Sequence, residues 1–314
     1  LKKIVSRNDF PIQDQQSTYI RSRAPVRVSF GGGGSDLTHY FENDSGAVIN
    51  ATISIYSHAT MRLLDDSRII INSLDLDKTL VAKNYEDAIS KKGPFGLIQS
   101  ILKIVKPDYG LELNLNSDFP LGSGLGGSAT LSAAILGCFN MLRDDQWTQY
   151  EIAEIAFQAE RLNLGISGGW QDQYAAVFGG FNFIEFNANE NIVNPIRINS
   201  DTILELEESL ILCDTGLDHN SGNIHDNQKE TMTSAKILKM VQENVELCYK
   251  SRNHLLKGNL NKFGECLDQA WKLKRNFSSM ISNDYIDEIY NGAMKNGATG
   301  GKLLGAGGGG FFLF

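Results

Sequence analysis

Residues 120–130 read PLGSGLGGSAT, and this stretch decides the fold. Before it, GLELNLN (110–116) alternates apolar and polar residues, which predicts a strand with asparagines on one face. After it, SATLSAAILGCFNML (128–142) is small and apolar and predicts a buried helix. A strand, a glycine loop and a helix start aim backbone N–H groups at one place, which suits an anion. The hydroxyl of Ser128 serves there either as a helix cap or as a ligand to a metal on bound phosphates. Taken alone, a glycine turn with a serine cap explains the loop equally well. Gly122, Gly124 and Gly127 also spell G-x-G-x-x-G. A dinucleotide fold then needs an acid at the end of a second strand about 20 residues on. Asp144 and Asp145 stand between two helical stretches, so that reading fails. Residues 297–302 lack the order of a Walker A loop, and H-R-D and D-F-G are absent, which excludes a protein kinase.

Outward from the loop, 24–30 and 48–61 read as strands, 68–71 as a short one, and 95–105 as a helix. Apolar residues at 152, 155, 156, 159 and 162 make a helical face over 150–162. A shorter helix over 170–178 ends at Gly179–Gly180, and FNFIEF (181–186) is a strand. The polar stretch 186–205 marks a boundary between an N-terminal lobe (21–190) and a C-terminal lobe (205–314). Residues 1–20 read as a polar leader. The second lobe opens on a buried strand (209–214), continues through a polar loop (216–229), and then has helices near 231–257, 260–275 and 283–295. A glycine loop and the strand 311–314 close it, and ending on a strand predicts further chain beyond Phe314. Helices and strands mix without regular β-α-β alternation, so the class is α+β.

The chain has 314 residues and a formal net charge of −8. That balance argues against nucleic acid or an anionic membrane as a partner held by bulk charge. No apolar run approaches the ~18–20 residues of a membrane span. The four cysteines are widely spaced and form no CxxC pair, which predicts reduced thiols and a cytoplasmic setting. A homodimer has no signature in the sequence. Most of the 31 glycines gather in four clusters flanked by apolar segments, the pattern of tight loops that admit a ligand to the backbone.

Two acids and one base stand out. Glu160 falls at the C-terminal end of its helix, where the dipole disfavours a carboxylate unless a cation is near. Asp172 lies early in a short helix after a glycine turn. Arg27 sits between Val26 and Val28, and a charge in an apolar strand needs a partner or a solvated cleft. The five histidines form no ligand set, and His219 and His225 read as surface residues. Tyr56 reads as core.

Three segments in order resemble the motifs of the GHMP kinase superfamily: RAPVRVSFGGGGSDL (23–37), PLGSGLGGSAT (120–130) and KLLGAGGGGFFLF (302–314). Within it the chain is most similar to the D-glycero-D-manno-heptose 7-phosphate kinases, through GGGSDL, SGGWQDQY and GKLLGAGGGGF. The resemblance implies two α+β lobes, the first like domain 2 of ribosomal protein S5 and the second ferredoxin-like, with the active site between them. It implies ATP and Mg²⁺ as cofactors, with Pro120, Gly122, Ser123, Gly124, Leu125, Gly126, Gly127, Ser128 and Ala129 at the nucleotide. Ser128 and Glu160 match the magnesium ligands, Asp172 the catalytic aspartate and Arg27 its basic partner. Asp36, Gly33, Gly34, Ser35, Gly168, Gly307 and Gly308 fall on the acceptor side. Gly127 departs from the serine of many members, and Gly32–Gly34 depart from the galactokinase pattern, against galactose.

The implied reaction is transfer of the γ-phosphoryl to the anomeric hydroxyl of a heptose 7-phosphate, for nucleotide-activated heptose and surface polysaccharide. A second cationic site for the acceptor phosphate would come from Arg21, Arg23, Lys272, Arg275 or Lys302. The loop 216–229 is expected to act as a lid. The alternatives are another acceptor (fucose, a hexose or a mevalonate-type alcohol) and a relative that binds without catalysing.

Overall fold

The computed structural model of the chain describes residues 19–120, 122–217, 221–231 and 233–314. The expected leader lies outside these residues apart from Tyr19 and Ile20, which already belong to a strand. In chain order the elements are β1 (Tyr19–Gly31), α1 (Thr38–Phe41), β2 (Gly46–Leu63), β3 (Ile69–Ser73), β4 (Lys78–Ala82), α2 (Tyr85–Ser90), α3 (Gly96–Val105) and β5 (Leu111–Ser117). They continue with α4 (Gly127–Asn140), α5 (Gln149–Phe157), a π-helical turn (Gln158–Leu162), α6 (Gln171–Phe178), β6 (Phe181–Phe186), β7 (Asn191–Pro195), α7 (Ser200–Ser209) and β8 (Leu212–Asp214). The last are α8 (Ser221–Thr231), α9 (Ala235–Leu256), α10 (Leu260–Lys274), α11 (Asp284–Lys295), β9 (Lys302–Leu303) and β10 (Phe311–Leu313).

Two compact units interleave along the chain. One holds 1–26, 54–121 and 127–166; the other holds 27–53, 122–126 and 167–314. The polar stretch 186–205 contains β7 and the start of α7, and both belong to the second unit.

In the first unit, residues 57–63 of β2 pair antiparallel with β5; β5 pairs parallel with β3, and β3 antiparallel with β4. Alternate residues Leu111, Leu113 and Leu115 of β5 and Ile69 and Ile71 of β3 are buried, as a period of two requires for a sheet with one covered face. Helices α3, α4 and α5 pack on one another. Helix α5 starts at a capping box: Glu151 N donates to Thr148 Oγ1 at 3.3 Å and Thr148 N to Glu151 Oε2 at 2.8 Å. The single helix expected over 150–162 is instead α5 followed by the π turn, which periodicity does not register because the extra residue enters within one turn.

In the second unit, residues 46–51 of β2 pair antiparallel with β6, and β6 with β7. A small sheet has the order β8-β10-β9. The long helices α9 and α10 pack together. Phe263 of α10 meets Phe30 of β1 edge-on, with centroids 5.1 Å apart, and Trp271 meets Phe312 of β10 in the same way at 5.5 Å. The strand expected at 209–214 is short and part-exposed, covering only Leu212–Asp214.

The expected loop 216–229 is largely helix α8. Its polar residues hid the pattern: Ile224 is the buried apolar residue, and Gln228, one turn on, is buried as well and donates to the Ala306 carbonyl at 3.2 Å. Thr231 Oγ1 donates to the Phe277 carbonyl at 2.7 Å. A helix anchored at Ala306 and Phe277 corrects the expectation of a loose lid loop. His219 and the side chain of His225 lie outside the described residues.

Phe263→Ala removes a fully buried ring and is expected to cost about 3–5 kcal/mol. Urea unfolding followed by far-UV circular dichroism checks this.

Candidate functional site

Arg27 is the point where β1 enters the second unit, and from Val26 onward the strand is almost wholly buried. A guanidinium there must find acceptors. Its Nε donates to Asp172 Oδ1 at 2.8 Å, Nη2 lies 2.7 Å from the same oxygen, and Nη1 donates to the Gly124 carbonyl at 2.7 Å. Asp172 stands in the first turn of α6, where the helix dipole favours a carboxylate. Both Arg27 contacts go to Oδ1. Among the described residues no hydrogen bond engages Oδ2.

The glycine loop closes over this pair. A β-carbon on Gly126, whose φ is +80°, would lie 3.3 Å from Asp172 Oδ2. The Leu125 carbonyl accepts from Arg27 N at 3.3 Å. Within the loop Ser123, Leu125 and Ala129 are buried, while Gly122 and Ser128 are exposed. The side chains of Ser123, Leu125 and Ala129, expected at the nucleotide, therefore point inward, and only their backbone remains for phosphate. Pro120 is exposed at the loop entrance. Gly127 opens α4, and a β-carbon there would meet the Phe119 ring at 2.7 Å, which accounts for glycine at this position.

Ser128 and Glu160 come together in the first unit. The Ser128 hydroxyl donates to Glu160 Oε1, and Arg161 Nη1 lies 3.3 Å from that same oxygen. Glu160 is buried within the π turn, a device frequent at functional sites. Arg161 supplies the cation that a carboxylate at a helix C-terminus calls for. Two hard oxygen donors side by side fit Mg²⁺, which commonly takes one or two carboxylates together with phosphate oxygens. Among the described residues no cluster of three or more His, Cys, Asp or Glu side chains offers a metal site.

On the acceptor-side segment, Asp36 is buried. Its Oδ1 accepts from Gly34 N at 3.0 Å and its Oδ2 from Gln171 N at 3.2 Å. Burial and the Asp172 charge push its carboxyl above the usual value, against those two N–H groups. A β-carbon on Gly169 would fall 1.9 Å from Asp36 Oδ2, so the turn next to Gly168 has to stay bare. Ser35 is fully buried and spends its hydroxyl on the Gly32 carbonyl (2.7 Å) and on Ala47 (3.1 Å). It braces the turn instead of facing a ligand. Gly307 and Gly308 pack against Ile281: Gly308 N donates to the Ile281 carbonyl at 2.9 Å, and a β-carbon on Gly307 would meet Ile281 at 2.8 Å.

Of the expected acceptor-phosphate cations, Arg23 stacks on the half-buried Tyr56 ring at 4.4 Å, which also corrects Tyr56 as core. Lys272 pairs with Asp268, Arg275 with Asp287, and buried Lys302 donates to the Ser29 carbonyl at 2.8 Å. Arg21 is exposed. Sequence reasoning missed Lys274. It is buried, donates to the Gly305 carbonyl and lies in the field of Arg27, Asp36 and Asp172. Burial, then Arg27, pull its ammonium down from 10.5 to about 8. The signal was available, because Phe263, Leu267, Ala270, Trp271 and Lys274 follow one helical stripe of α10.

The N-terminal domain of the GHMP kinases matches residues 96–180, and the C-terminal domain matches 252–314. A D-glycero-alpha-D-manno-heptose 7-phosphate kinase of Campylobacter jejuni is 36% identical over 301 residues, 94% of this chain and 88% of that protein. The chain belongs to the GHMP kinase family. Among solved structures, a D-glycero-D-manno-heptose 1-phosphate kinase of Bacteroides thetaiotaomicron aligns with TM-score 0.75 and 29% identity, covering 95% of this chain and 88% of the other. The Lactococcus lactis galactokinase aligns at TM-score 0.75 but 19% identity, over 94% and 84%, and shows the fold alone. The two GHMP domain matches fall on either side of the polar stretch 186–205.

Lys274 binds fewer protons in the folded than in the unfolded state between about pH 8 and the ordinary lysine value. Its contribution to stability therefore rises with pH across that window. The stability of wild type relative to Lys274→Met is expected to increase from pH 8 to 10, measured by paired denaturant titrations.

Proposed function

We propose that this GHMP kinase transfers the γ-phosphoryl group of ATP to the anomeric hydroxyl of a D-glycero-D-manno-heptose 7-phosphate, giving the 1,7-bisphosphate. The observation that carries the chemistry is Asp172, with one oxygen tied by Arg27 and the other without a hydrogen-bond partner among the described residues. The acceptor is argued from the Campylobacter relative, and the functional lobes are taken as 21–190 and 205–314.

Phosphoryl transfer depends on positioning and charge neutralisation more than on covalent chemistry. Asp172 Oδ2 takes the proton of the acceptor hydroxyl. An anomeric hydroxyl is more acidic than an ordinary alcohol, so a carboxylate suffices as base. Arg27 fixes the rotamer of Asp172 and, through Gly124, couples it to the loop that carries the phosphates. Backbone N–H groups of 122–128 bind phosphate oxygens. Ser128 and Glu160 would hold Mg²⁺, which when bound neutralises phosphate charge. Asp36 holds acceptor hydroxyls. The Bacteroides relative, a heptose 1-phosphate kinase, favours a second reading, in which the 1-phosphate is the acceptor and O7 the nucleophile.

A coupled ADP-release assay tests both readings. The panel is the heptose 7-phosphate, the heptose 1-phosphate, mannose 6-phosphate, mannose, fucose, galactose and mevalonate, with phosphorus NMR of the product. Turnover of the 7-phosphate with a new anomeric phosphate signal is expected. Turnover of only the 1-phosphate, or of only an unphosphorylated acceptor, replaces the reading. Asp172→Asn is expected to lower kcat by about 10²–10⁴-fold with ATP affinity intact, read by single-turnover kinetics and nucleotide titration. Glu160→Gln is expected to raise the midpoint of the Mg²⁺ titration.

A further inference from the structure

Gly33 is the third of four consecutive glycines between Phe30 and Ser35, and unlike Gly32 and Gly34 it carries no positive φ that demands glycine. A methyl group built on it would sit 3.8 Å from Gln171 Nε2 and 3.9 Å from Lys274 Nζ, with no other contact among the described residues nearer than 4 Å. Two nitrogen donors therefore converge over a bare α-carbon. Around them are polar groups the reaction has not used. The side-chain oxygen of Gln171 is buried without a hydrogen-bond partner among the described residues, and Gln171 itself is 9% exposed. Asn244 donates to the Gly33 carbonyl at 3.1 Å, while its own side-chain oxygen is buried and unpartnered. The next residue of the chain, Gly34, is bonded to Asp36, and Gln171 is adjacent to Asp172.

A buried acceptor with no partner costs about 1–3 kcal/mol, so such groups mark a place where a ligand or water completes the bonding. A hydroxyl is the complementary ligand because its oxygen has two lone pairs for the two donors and one proton for the open acceptor. We infer that Lys274 and Gln171 form a clamp over Gly33 that binds a hydroxyl oxygen of the acceptor sugar, and that these residues set acceptor specificity. Lys274 Nζ and Gln171 Nε2 donate to the sugar oxygen, and the hydroxyl proton goes to a buried carbonyl or carboxylate oxygen such as Gln171 Oε1. Glycine at 33 keeps the space that oxygen needs. The lowered basicity of Lys274 agrees with an ammonium held out of water until a polar ligand arrives.

This inference rests on the sugar-kinase reading, and the test separates the two. Wild type, Gly33→Ala, Gln171→Leu and Lys274→Met are assayed with the sugar acceptor that wild type turns over, measuring KM for acceptor and for ATP separately. Gly33→Ala introduces only ordinary contacts, so it keeps the protein folded if Lys274→Met, which strips the Gly305 carbonyl of its donor, does not. The expected result is an acceptor KM raised tenfold or more in Gly33→Ala and Gln171→Leu, with the KM for ATP and the melting temperature within error of wild type. An acceptor KM unchanged in both variants, with wild type active, overturns the clamp and leaves the sugar-kinase reading standing. A parallel loss of affinity for ATP also overturns it, since that marks general damage to the site. A wild type that phosphorylates no sugar removes the reading and the clamp together.

Discussion

The buried ion pair between Arg27 and Asp172 is the constraint on which the site depends. A guanidinium inside an apolar strand is costly unless its N–H groups are met, and here Asp172 and the Gly124 carbonyl meet three of its nitrogens. Breaking such a pair typically costs about 3–5 kcal/mol, because the remaining charge stays buried. That cost fixes the start of α6 and the path of the glycine loop relative to β1. The Leu125 carbonyl, bonded to Arg27 N, adds a backbone tie at the same place. One residue thus positions the Asp172 carboxylate and the glycine loop together.

The neighbouring charges extend this logic. Lys274 lies in the field of Arg27, Asp36 and Asp172, and Lys302 in that of Lys274, Arg27 and Asp36, and burial above all pulls both ammonium groups below their ordinary value. Groups perturbed by burial and by named charged partners, beside a glycine loop, are the physical mark of a working site. In the first unit the same economy operates on a smaller scale. Glu160, buried in a π turn, is offset by Arg161 and by the Ser128 hydroxyl.

Much of this was legible in the residues. The alternation of β5, the apolar face over 150–162 and the small-residue run of α4 were each readable, and β5 and α4 stand near their expected bounds, while the helix expected over 150–162 is α5 and the π turn together. Arg27 was legible because its chemistry contradicts its apolar neighbours. What escaped had no period or had the wrong kind of residue on the buried face. Helix α8 buries Gln228 with Ile224, so its polar composition read as loop. Lys274 lies on the buried stripe of α10 between the more conspicuous Lys272 and Arg275, which turn out to pair with nearby acids. The packing of Ser35, Gly307 and Gly308 needed coordinates, since a motif does not show what a buried hydroxyl or a tight turn rests on.

The contact between Gly126 and Asp172 has a consequence for how such a protein changes over generations. A β-carbon at Gly126 would press on Asp172 Oδ2, the oxygen that Arg27 does not hold. Drift in the glycine loop is therefore felt at once by Asp172, and drift around Asp172 by the loop. Variation is left to residues farther out, while this inner pair is inherited as one block.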